Sequence, residues 1–255
     1  MIPKVIHYCW FGGKPEPEAV MRCIASWRSC CPDYEIKRWD ETNYDVNRCQ
    51  YMADAYKEKK WAFVSDYARL DIIFNEGGIY MDTDVEMIKS FDELLKEKMF
   101  CGFESRDPVG FKRGQNIEYS VNLGLGYGAE KGHPYLKDML DLYQALHFYN
   151  EDGSLNLVAC PRYQTKVLSR YGLVANNKTQ RLDECIVYSP EYFCPQSNVT
   201  DKMLYSIERS YSIHHFTVSW ASAKDLKARD WKNRLNRFLP YWLASKIVTL
   251  IYKFR

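Results

Sequence analysis

The stretch from Ala62 to Glu86 constrains the fold of this chain more than any other, because it predicts a helix, a turn and a strand in immediate succession. Gly77 occupies the position of a left-handed helix cap, and Gly78 allows the chain to reverse at once. The apolar residues Ile79 to Met81 then predict a short strand. The helix itself is predicted from one apolar stripe at helical spacing: Phe63, Tyr67, Leu70 and Phe74.

Charged residues in this stretch have the spacing of a binding site. Asp66 and Arg69 are three residues apart, so they lie on neighbouring parts of one helix face, and we expect both to lie off the apolar stripe. Asp82 and Asp84 follow the strand directly, where a turn can direct both carboxylates toward one hard cation and its phosphate ligands. A D-x-D triplet by itself more often belongs to a solvated loop, but the ordered succession of elements favours a site.

The run SDYARLDIIFNEGGIYMDTDV, residues 65–85, resembles the signature of glycosyltransferase family 32, and weaker similarity extends from Ile2 to Trp220. This family of DXD-containing sugar transferases includes bacterial capsule and lipopolysaccharide transferases, yeast mannosyltransferases and the catalytic domains of clostridial glucosylating toxins. The resemblance implies a GT-A fold, a divalent cation, a nucleotide-sugar donor and retention of the anomeric configuration.

The rest of the chain predicts an α/β fold of the same kind. Strands are predicted at Ile2 to Trp10 and Tyr34 to Trp39, with a helix at Val20 to Trp27 between them. This alternation favours a Rossmann-like, mostly parallel central sheet flanked by helices, whose ligand crevice lies at the carboxyl ends of the strands. Further strands are predicted at Val85 to Ile88 and Met99 to Glu104, and further helices at Phe91 to Lys98 and Pro134 to Phe148.

Length and composition fit one soluble domain. The 255 residues are 46% hydrophobic and 27% charged, which suffices for one sizeable core. Nine cysteines without a C-x-x-C pair favour free thiols in a reducing cytoplasm over a zinc site or a disulfide framework. The segment that begins at Met1 lacks the pattern of a secretory signal.

A basic segment follows the predicted catalytic domain, which we assign to residues 1–223. Residues 224–255 contain nine Lys or Arg and two Asp, a net charge of +7. Their apolar run is too short, and too interrupted by Pro240 and Lys246, to span a bilayer. It instead predicts an amphipathic helix at an anionic membrane surface, although a helix that packs on the domain is the alternative. The buried apolar face would contain Trp242, Leu243, Ile247 and Leu250.

The late stretch from Tyr211 to Trp220 contains adjacent histidines, which face opposite ways if they lie on a strand. A purely structural role for the pair is the alternative to a site. The family resemblance implies a metal ligand here, for which we choose His215 with His214 as the substitute. It also implies that Ser219 and Trp220 contact the diphosphate.

The resemblance assigns the remaining roles around the donor. Asp84 and the histidine would hold Mn²⁺, with Mg²⁺ as the alternative, while Asp82 would orient the ribose or reach the metal through water. Arg69 would meet a phosphate or sugar oxygen, and Asp66 would accept hydrogen bonds from sugar hydroxyls.

Three further residues complete the predicted donor site. Trp10 would stack on the nucleotide base, with burial in the core as the alternative. Tyr80 would cap the nucleotide. Asn122 would lie near the donor sugar, with a structural turn amide as the alternative.

The sequence therefore predicts transfer of a hexose from a nucleotide sugar to a saccharide acceptor. We favour a UDP-sugar over GDP-mannose, and a lipid-linked acceptor in bacterial capsule, O-antigen or exopolysaccharide synthesis. The expected location is the cytoplasmic face of the plasma membrane, with no nucleic acid as partner. A metal-dependent diphosphate hydrolase is a second candidate, although Glu86 is the only obvious extra carboxylate. A non-catalytic sugar-binding module is a third. No residue identifies itself as a covalent nucleophile, so a front-face route and an unassigned nucleophile both stay open.

Overall fold

Strands and helices alternate through the first part of the chain, as the sequence predicts. In a computed structural model the described residues are 1–107, 118–197, 200, 202–217, 227–228, 231, 234–235, 239 and 241–253. The α-helices are α1 (Glu18–Cys30), α2 (Gln50–Lys57), α3 (Trp61–Glu76), α4 (Pro134–Gln144), α5 (Cys160–Ser169) and α6 (Tyr241–Lys253). The strands are β1 (Val5–Cys9), β2 (Glu35–Trp39), β3 (Gly78–Tyr80), β4 (Val85–Met87), β5 (Met99–Gly102), β6 (Tyr127–Ala129), β7 (Gln180–Arg181), β8 (Ile186–Tyr188) and β9 (Ser212–His214). Single 3₁₀ turns lie at Asp92–Leu94, Pro190–Tyr192 and Ile207–Arg209.

The central sheet has seven strands in the order β2-β1-β3-β6-β5-β8-β7. Three neighbouring pairs are parallel, β1 with β2, β1 with β3, and β5 with β8. Strands β6 and β7 run opposite to their neighbours, so the remaining five strands share one direction. The predicted α/β fold with a mostly parallel central sheet is confirmed.

Helices cover both faces of this sheet because its buried strands direct successive side chains to opposite sides. On β3, Ile79 packs into the core that contains Trp27 of α1. Its neighbour Tyr80 packs into the core formed with α2, α3, α4 and α5. The pairing of β1 with β3 places their carboxyl ends side by side, and this edge carries the residues that follow each strand.

Helix α3 differs from the prediction in how much of it is buried. Tyr67 and Leu70 lie in the core and Phe63 and Phe74 pack against it, as predicted. Asp66 and Arg69 lie off this apolar stripe, as expected, but they too are buried. The reason is tertiary: α3 contacts α2 and α4 as well as β1, β3 and β6, which leaves little of its surface to water.

The two glycines after α3 allow neighbouring strands to approach closely, in addition to allowing the chain to turn. Gly77 has φ +71° but ψ −176°, so it does not adopt the predicted left-handed helical cap. Gly78 has φ +106°, and a Cβ there would lie 2.8 Å from the backbone oxygen of Val5. Glycine at position 78 therefore lets β3 approach β1 closely.

Several other local predictions need correction. The sequence interpretation missed α2 and α5, and the helix predicted for Phe91 to Lys98 is a single 3₁₀ turn, Asp92–Leu94. Helix α4 ends at Gln144 instead of reaching Phe148. All nine cysteines are free thiols, as predicted.

His7 provides a measurable pH dependence of stability. Its ring accepts a hydrogen bond from Trp39 Nε1 at 3.0 Å and contacts Gly77 O with Nε2 at 3.0 Å. Burial lowers the pKa of His7 to about 4 from its ordinary value of 6.5. Between about pH 6.5 and about pH 4, the unfolded chain therefore binds a proton at His7 that the folded chain does not bind. The free energy of unfolding falls as the pH decreases through this range.

We expect His7→Gln to remove this dependence. Between pH 7.5 and pH 4.5 the wild-type protein should lose about 2–3 kcal/mol more than the variant in urea unfolding. Other titrating groups, including Asp66, are present in both proteins and cancel in the difference. If wild-type protein and variant differ in free energy of unfolding by the same amount at both pH values, this role of His7 is contradicted.

Candidate active site

Asp82 and Asp84 lie just beyond the carboxyl end of β3, at the edge of the sheet where parallel strands place their ligands. The backbone N–H of Asp82 donates to Gly124 O at 3.1 Å, and Asp82 O accepts from the N–H of Val85 at 3.1 Å. These bonds form a tight turn that directs both carboxylates to the same side. The predicted D-x-D turn is therefore part of the packed structure and not a solvated loop.

His214 joins the two aspartates because β9 pairs with β4. The antiparallel register sets His214 opposite Val85, the residue after Asp84. His214 Nε2 lies 3.3 Å from Asp84 Oδ1 and 3.9 Å from Asp82 Oδ2. Its Nδ1 accepts from the N–H of Phe216 at 3.2 Å, which helps to fix the ring.

The choice of His215 as the metal ligand was wrong, and His214, the substitute, takes its place. His215 directs Nε2 to Glu86 Oε2 at 2.9 Å, on the other side of the strand pair. Adjacent residues do face opposite ways, as expected, but sequence alone does not say which one faces Asp84.

Thr217 is a site residue that the sequence interpretation missed. Its backbone N–H donates to Asp84 Oδ2 at 2.9 Å, and its hydroxyl lies 3.3 Å from the same oxygen. This contact holds the Asp84 carboxylate while Oδ1 faces His214. No local pattern marks such a residue, since its position depends on the pairing of β4 with β9. The predicted diphosphate contacts, Ser219 and Trp220, lie outside the described residues.

Arg69 connects the helix to the D-x-D turn. Its Nη2 lies 3.0 Å from Asp66 Oδ1 and 3.3 Å from Asp82 Oδ1. Its Nε donates to Ser65 O at 3.1 Å, and its guanidinium carbon is 5.1 Å from the centre of the Tyr80 ring. The planar fork is thus fixed by two carboxylates, a carbonyl and an aromatic face.

Neighbouring charges and burial set the protonation of Asp66, Asp82 and His214. Burial raises the pKa of Asp66 to about 6, although the adjacent Arg69 guanidinium opposes the shift. Burial also acts to raise the pKa of Asp82, but Arg69 and His214 outweigh it and hold that pKa below its ordinary value. For His214, burial opposes protonation, whereas Asp84 and Asp82 together raise the pKa of the imidazole.

Tyr80 and Asn122 have structural contacts that the predicted roles did not include. Tyr80 is only 1% exposed and lies beneath Arg69, so its ring is not available to cap a nucleotide, and that prediction is wrong. Asn122 Oδ1 accepts from the N–H of Gly124 at 2.7 Å, and its Nδ2 donates to Glu104 Oε2 at 3.0 Å. Asn122 therefore has the contacts of the structural turn amide, while contact with a donor sugar stays a prediction.

Trp10 follows β1 and lies at the same edge of the sheet as the D-x-D turn. It is partly buried, packs against the core, and donates from Nε1 to Lys14 O at 2.6 Å. Stacking of its ring on a nucleotide base stays a prediction.

The residues present fit a divalent cation. Asp82, Asp84 and His214 each offer one ligand atom, and the three atoms lie within 4.8 Å of one another. Two carboxylate oxygens and one imidazole nitrogen suit Mn²⁺, and the oxygens also suit Mg²⁺. With a nucleotide sugar, such a site can offset the negative charge that develops on a departing diphosphate.

Comparison with known proteins bears directly on this stretch. Residues 17–101, which contain α3, the D-x-D turn and the strands around them, match the family described as "Glycosyltransferase sugar-binding region containing DXD motif". This stretch is therefore similar to the sugar-binding region of DXD-containing glycosyltransferases. The resemblance to glycosyltransferase family 32 is confirmed.

Two curated relatives of the family come from Schizosaccharomyces pombe. Inositol phosphoceramide mannosyltransferase 3 is 29% identical over 146 residues, which cover 53% of this chain and 35% of that protein. Inositol phosphoceramide mannosyltransferase 1 is 28% identical over 159 residues, 57% of this chain and 42% of that protein. The match thus spans less than half of either relative. Among solved structures, the PaToxG glycosyltransferase is 21% identical with a TM-score of 0.48, over 66% of this chain and 69% of that one.

Gly124 offers a test of the turn that carries Asp82. A Cβ added there would lie 2.9 Å from Asp82 Cγ and 3.0 Å from Arg69 Nη1, and closer still to Asp82 Oδ2. We expect Gly124→Ala to displace the carboxylate and weaken Mn²⁺ binding, measured by calorimetry, about 10- to 100-fold. Gly153→Ala is the control, because its turn has nothing within 4 Å of the added atom although its φ is +78°. Wild-type Mn²⁺ affinity in Gly124→Ala would show that the position of Asp82 is not required.

Proposed function

We propose that this chain is a metal-dependent, retaining glycosyltransferase that moves a hexose from a nucleotide sugar to a saccharide or polyol acceptor. The observation that carries the proposal is the cluster of Asp82, Asp84 and His214 beside the buried Arg69, at the carboxyl end of β3. The proposal that the anomeric configuration of the sugar is retained rests only on the resemblance to glycosyltransferase family 32.

Each residue has a role that its contacts support. Asp82, Asp84 and His214 would hold the cation, which would stabilise the leaving diphosphate. Thr217 and Arg69 hold the two carboxylates in place through the bonds described above. Asp66 keeps Arg69 oriented from the other side, and its raised pKa suits a carboxyl group that accepts or donates a hydrogen bond near sugar hydroxyls.

The donor is proposed as a nucleoside-diphosphate sugar. The sequence interpretation favours a UDP-sugar, while the names of the two yeast relatives favour a mannosyl donor such as GDP-mannose. A role in bacterial capsule, O-antigen or exopolysaccharide synthesis is one setting for this activity, and a glycolipid acceptor is another that the relatives' names support.

The hydrolase alternative has less support. It requires further carboxylates around the cation, and the one extra candidate, Glu86, pairs with His215 away from the cluster. A non-catalytic sugar-binding module would not need the fixed, buried arrangement of Arg69 with Asp66 and Asp82.

A donor panel tests the proposal. The protein is mixed with UDP-glucose, UDP-galactose, UDP-N-acetylglucosamine or GDP-mannose and Mn²⁺, with or without EDTA. We expect slow release of nucleoside diphosphate from one donor, lost in EDTA and restored by excess Mn²⁺. Cleavage between the two phosphates would favour the hydrolase, and donor binding without any cleavage would favour the binding module.

We also propose that the basic segment of residues 224–255 binds the anionic cytoplasmic face of the plasma membrane. None of the helices in the described part of the chain is long and apolar enough to cross a membrane. In α6, Ala244 and Val248 are buried, whereas Leu250 and Ile251 are exposed. Leu250 thus remains exposed one turn after the exposed Lys246, an arrangement that suits an interfacial helix.

Sedimentation with anionic and neutral liposomes tests this location. We expect the full chain to bind anionic vesicles in a salt-sensitive way and a chain truncated after Asp230 to bind them more weakly. Equal binding of both chains, or no preference for anionic vesicles, would mean that α6 only packs on the domain.

A further inference from the structure

A cavity of about 590 Å³ lies beside the site, in the range typical of small-molecule binding pockets. Its walls come from the segment after β5, the segment around Ser120, and the chain leading into α5. Apolar residues, including Leu155 and Val158, form one part of the wall, and the polar residues Asn150 and Asn156 line another part. Apolar surface next to amide groups suits a ligand with C–H faces and hydroxyl groups, such as a sugar or cyclic polyol.

The cavity is connected to the proposed metal cluster from two sides. On one side, Glu104 in the cavity wall accepts from Asn122, which in turn holds Gly124 against Asp82. On the other side, Pro161 in the wall is preceded by Cys160, which lies close enough to Asp66, the partner of Arg69, to affect the pKa of its carboxyl group. A ligand in this cavity would therefore lie next to the groups proposed to bind the donor.

Two arginines give the cavity wall positive charge. Arg106 donates from Nη2 to Ser120 Oγ at 3.2 Å, and its Nη1 lies 3.5 Å from Glu104 Oε1. Its Nε is buried and, within the described part of the chain, has no hydrogen-bond partner. Arg162 is 67% exposed and has a long contact of 3.4 Å with the equally exposed Glu118. Among the residues that the structure describes, neither guanidinium has a short, two-pronged carboxylate partner, so each retains donors for an anion.

The start of α5 adds to the positive charge of the cavity wall. The helix begins at Cys160, its N-cap Ala159 makes no side-chain cap, and Ala159 and Pro161 both line the cavity. A helix N-terminus without a side-chain cap favours an anion, and Arg162 lies in the first turn of this helix.

We propose that this cavity is the acceptor site, and that it takes a sugar or polyol bearing a phosphate group, with Arg106 and Arg162 binding the phosphate. The assignment as acceptor site rests on the proposed transferase function. The phosphate can belong to a soluble sugar phosphate or to a lipid headgroup, since the two present the same chemistry to the arginines.

Binding is measured first, without any donor, so that it does not depend on catalysis. The probes are myo-inositol 1-phosphate and glucose 6-phosphate, compared in calorimetry with myo-inositol and glucose. We expect the phosphorylated compounds to bind at least about tenfold more tightly, because each charge-assisted bond to phosphate is strong. Arg162→Gln should reduce that preference about tenfold and leave the affinity for the unphosphorylated compounds unchanged.

The matched control is Arg170→Gln, at the opposite end of the same helix and exposed. Arg106→Gln is a second variant, and Arg162→Gln alone decides the question if the partly buried Arg106 is needed for folding. Vesicles containing phosphatidylinositol, compared with free inositol phosphate, distinguish a lipid headgroup from a soluble acceptor. Equal affinity for phosphorylated and unphosphorylated probes, or an equal loss in Arg162→Gln and Arg170→Gln, would overturn the proposal.

Transfer assays then separate this inference from the function on which it rests. With the donor found in the panel, Arg162→Gln should raise KM for the phosphorylated acceptor about tenfold, whereas Arg170→Gln should leave that KM unchanged. If no donor is consumed by the wild-type protein while the phosphate preference persists, the transferase proposal fails and the anion-binding site stands. If donor is consumed but the phosphate preference is absent, the anion-binding site fails and the transferase proposal stands.

Discussion

Asp84→Asn should reduce turnover of the nucleotide sugar by on the order of 10² or more. The substitution replaces a charged ligand oxygen by a neutral one at the point where Asp84 faces His214 at 3.3 Å. It also places an amide NH₂ or a weaker acceptor opposite the Thr217 N–H, which now donates to the carboxylate at 2.9 Å. The measurement is the rate of nucleoside diphosphate release as Mn²⁺ is titrated, and we expect the variant to require far more Mn²⁺.

Glu86→Gln is the matched control for the loss of one nearby negative charge. Glu86 is two residues away on β4, its side chain is 48% exposed, and it pairs with His215 outside the cluster. We expect its turnover and Mn²⁺ requirement to stay within about twofold of wild type, as for most exposed substitutions. Full activity of Asp84→Asn in the presence of EDTA would exclude the proposed metal site.

Arg69→Met should destabilise the fold by about 3–5 kcal/mol, because it removes the guanidinium that faces the buried carboxylate of Asp66 and the partly buried carboxylate of Asp82. Asp66 and Asp82 both lie within 3.3 Å of Arg69 Nη2, and Arg69 is only 4% exposed. Arg69 also lowers the pKa of Asp66, so in the variant that pKa should rise further above about 6. Urea unfolding at pH 7.5 measures the loss, and it should shrink at pH 5, where a protonated Asp66 no longer needs a partner.

Arg22→Met removes an ion pair of the same kind from the surface. Arg22 pairs with Glu18 four residues earlier, and the two side chains are 68% and 80% exposed. We expect this substitution to change stability by less than about 0.5 kcal/mol. A comparable loss in both variants would mean that the effect of Arg69→Met arises from general charge balance and not from the buried contacts.

The candidate site shows which features can be predicted from local sequence patterns. Asp66, Arg69, Asp82 and Asp84 lie within one continuous stretch, so their mutual positions follow from one helix, one turn and one short strand. The structure brings these four residues together at the end of β3, as the sequence predicts. The alternation of strands and helices likewise predicts the sheet and the edge at which the site lies.

Residues contributed by distant segments were predicted less well, for a physical reason in each case. His214 rather than His215 faces the aspartates because of the register of β9 on β4, and a shift of one residue would exchange them. Thr217 reaches Asp84 only through the same pairing. Tyr80 is covered by Arg69 and the surrounding helices, so an aromatic residue beside the D-x-D turn became part of the core.

The sequence by itself determined the fold class, the D-x-D turn and the placement of Asp66 and Arg69 on neighbouring parts of one helix face, because these depend on periodicity and on spacing along the chain. The tertiary structure decided which histidine completes the cluster and how deeply α3 is buried. It also decided how Glu104, Arg106 and the start of α5 come together around a cavity. These features arise from contacts between segments far apart in the chain, and such contacts are set by packing and strand register, which no local pattern of residues records.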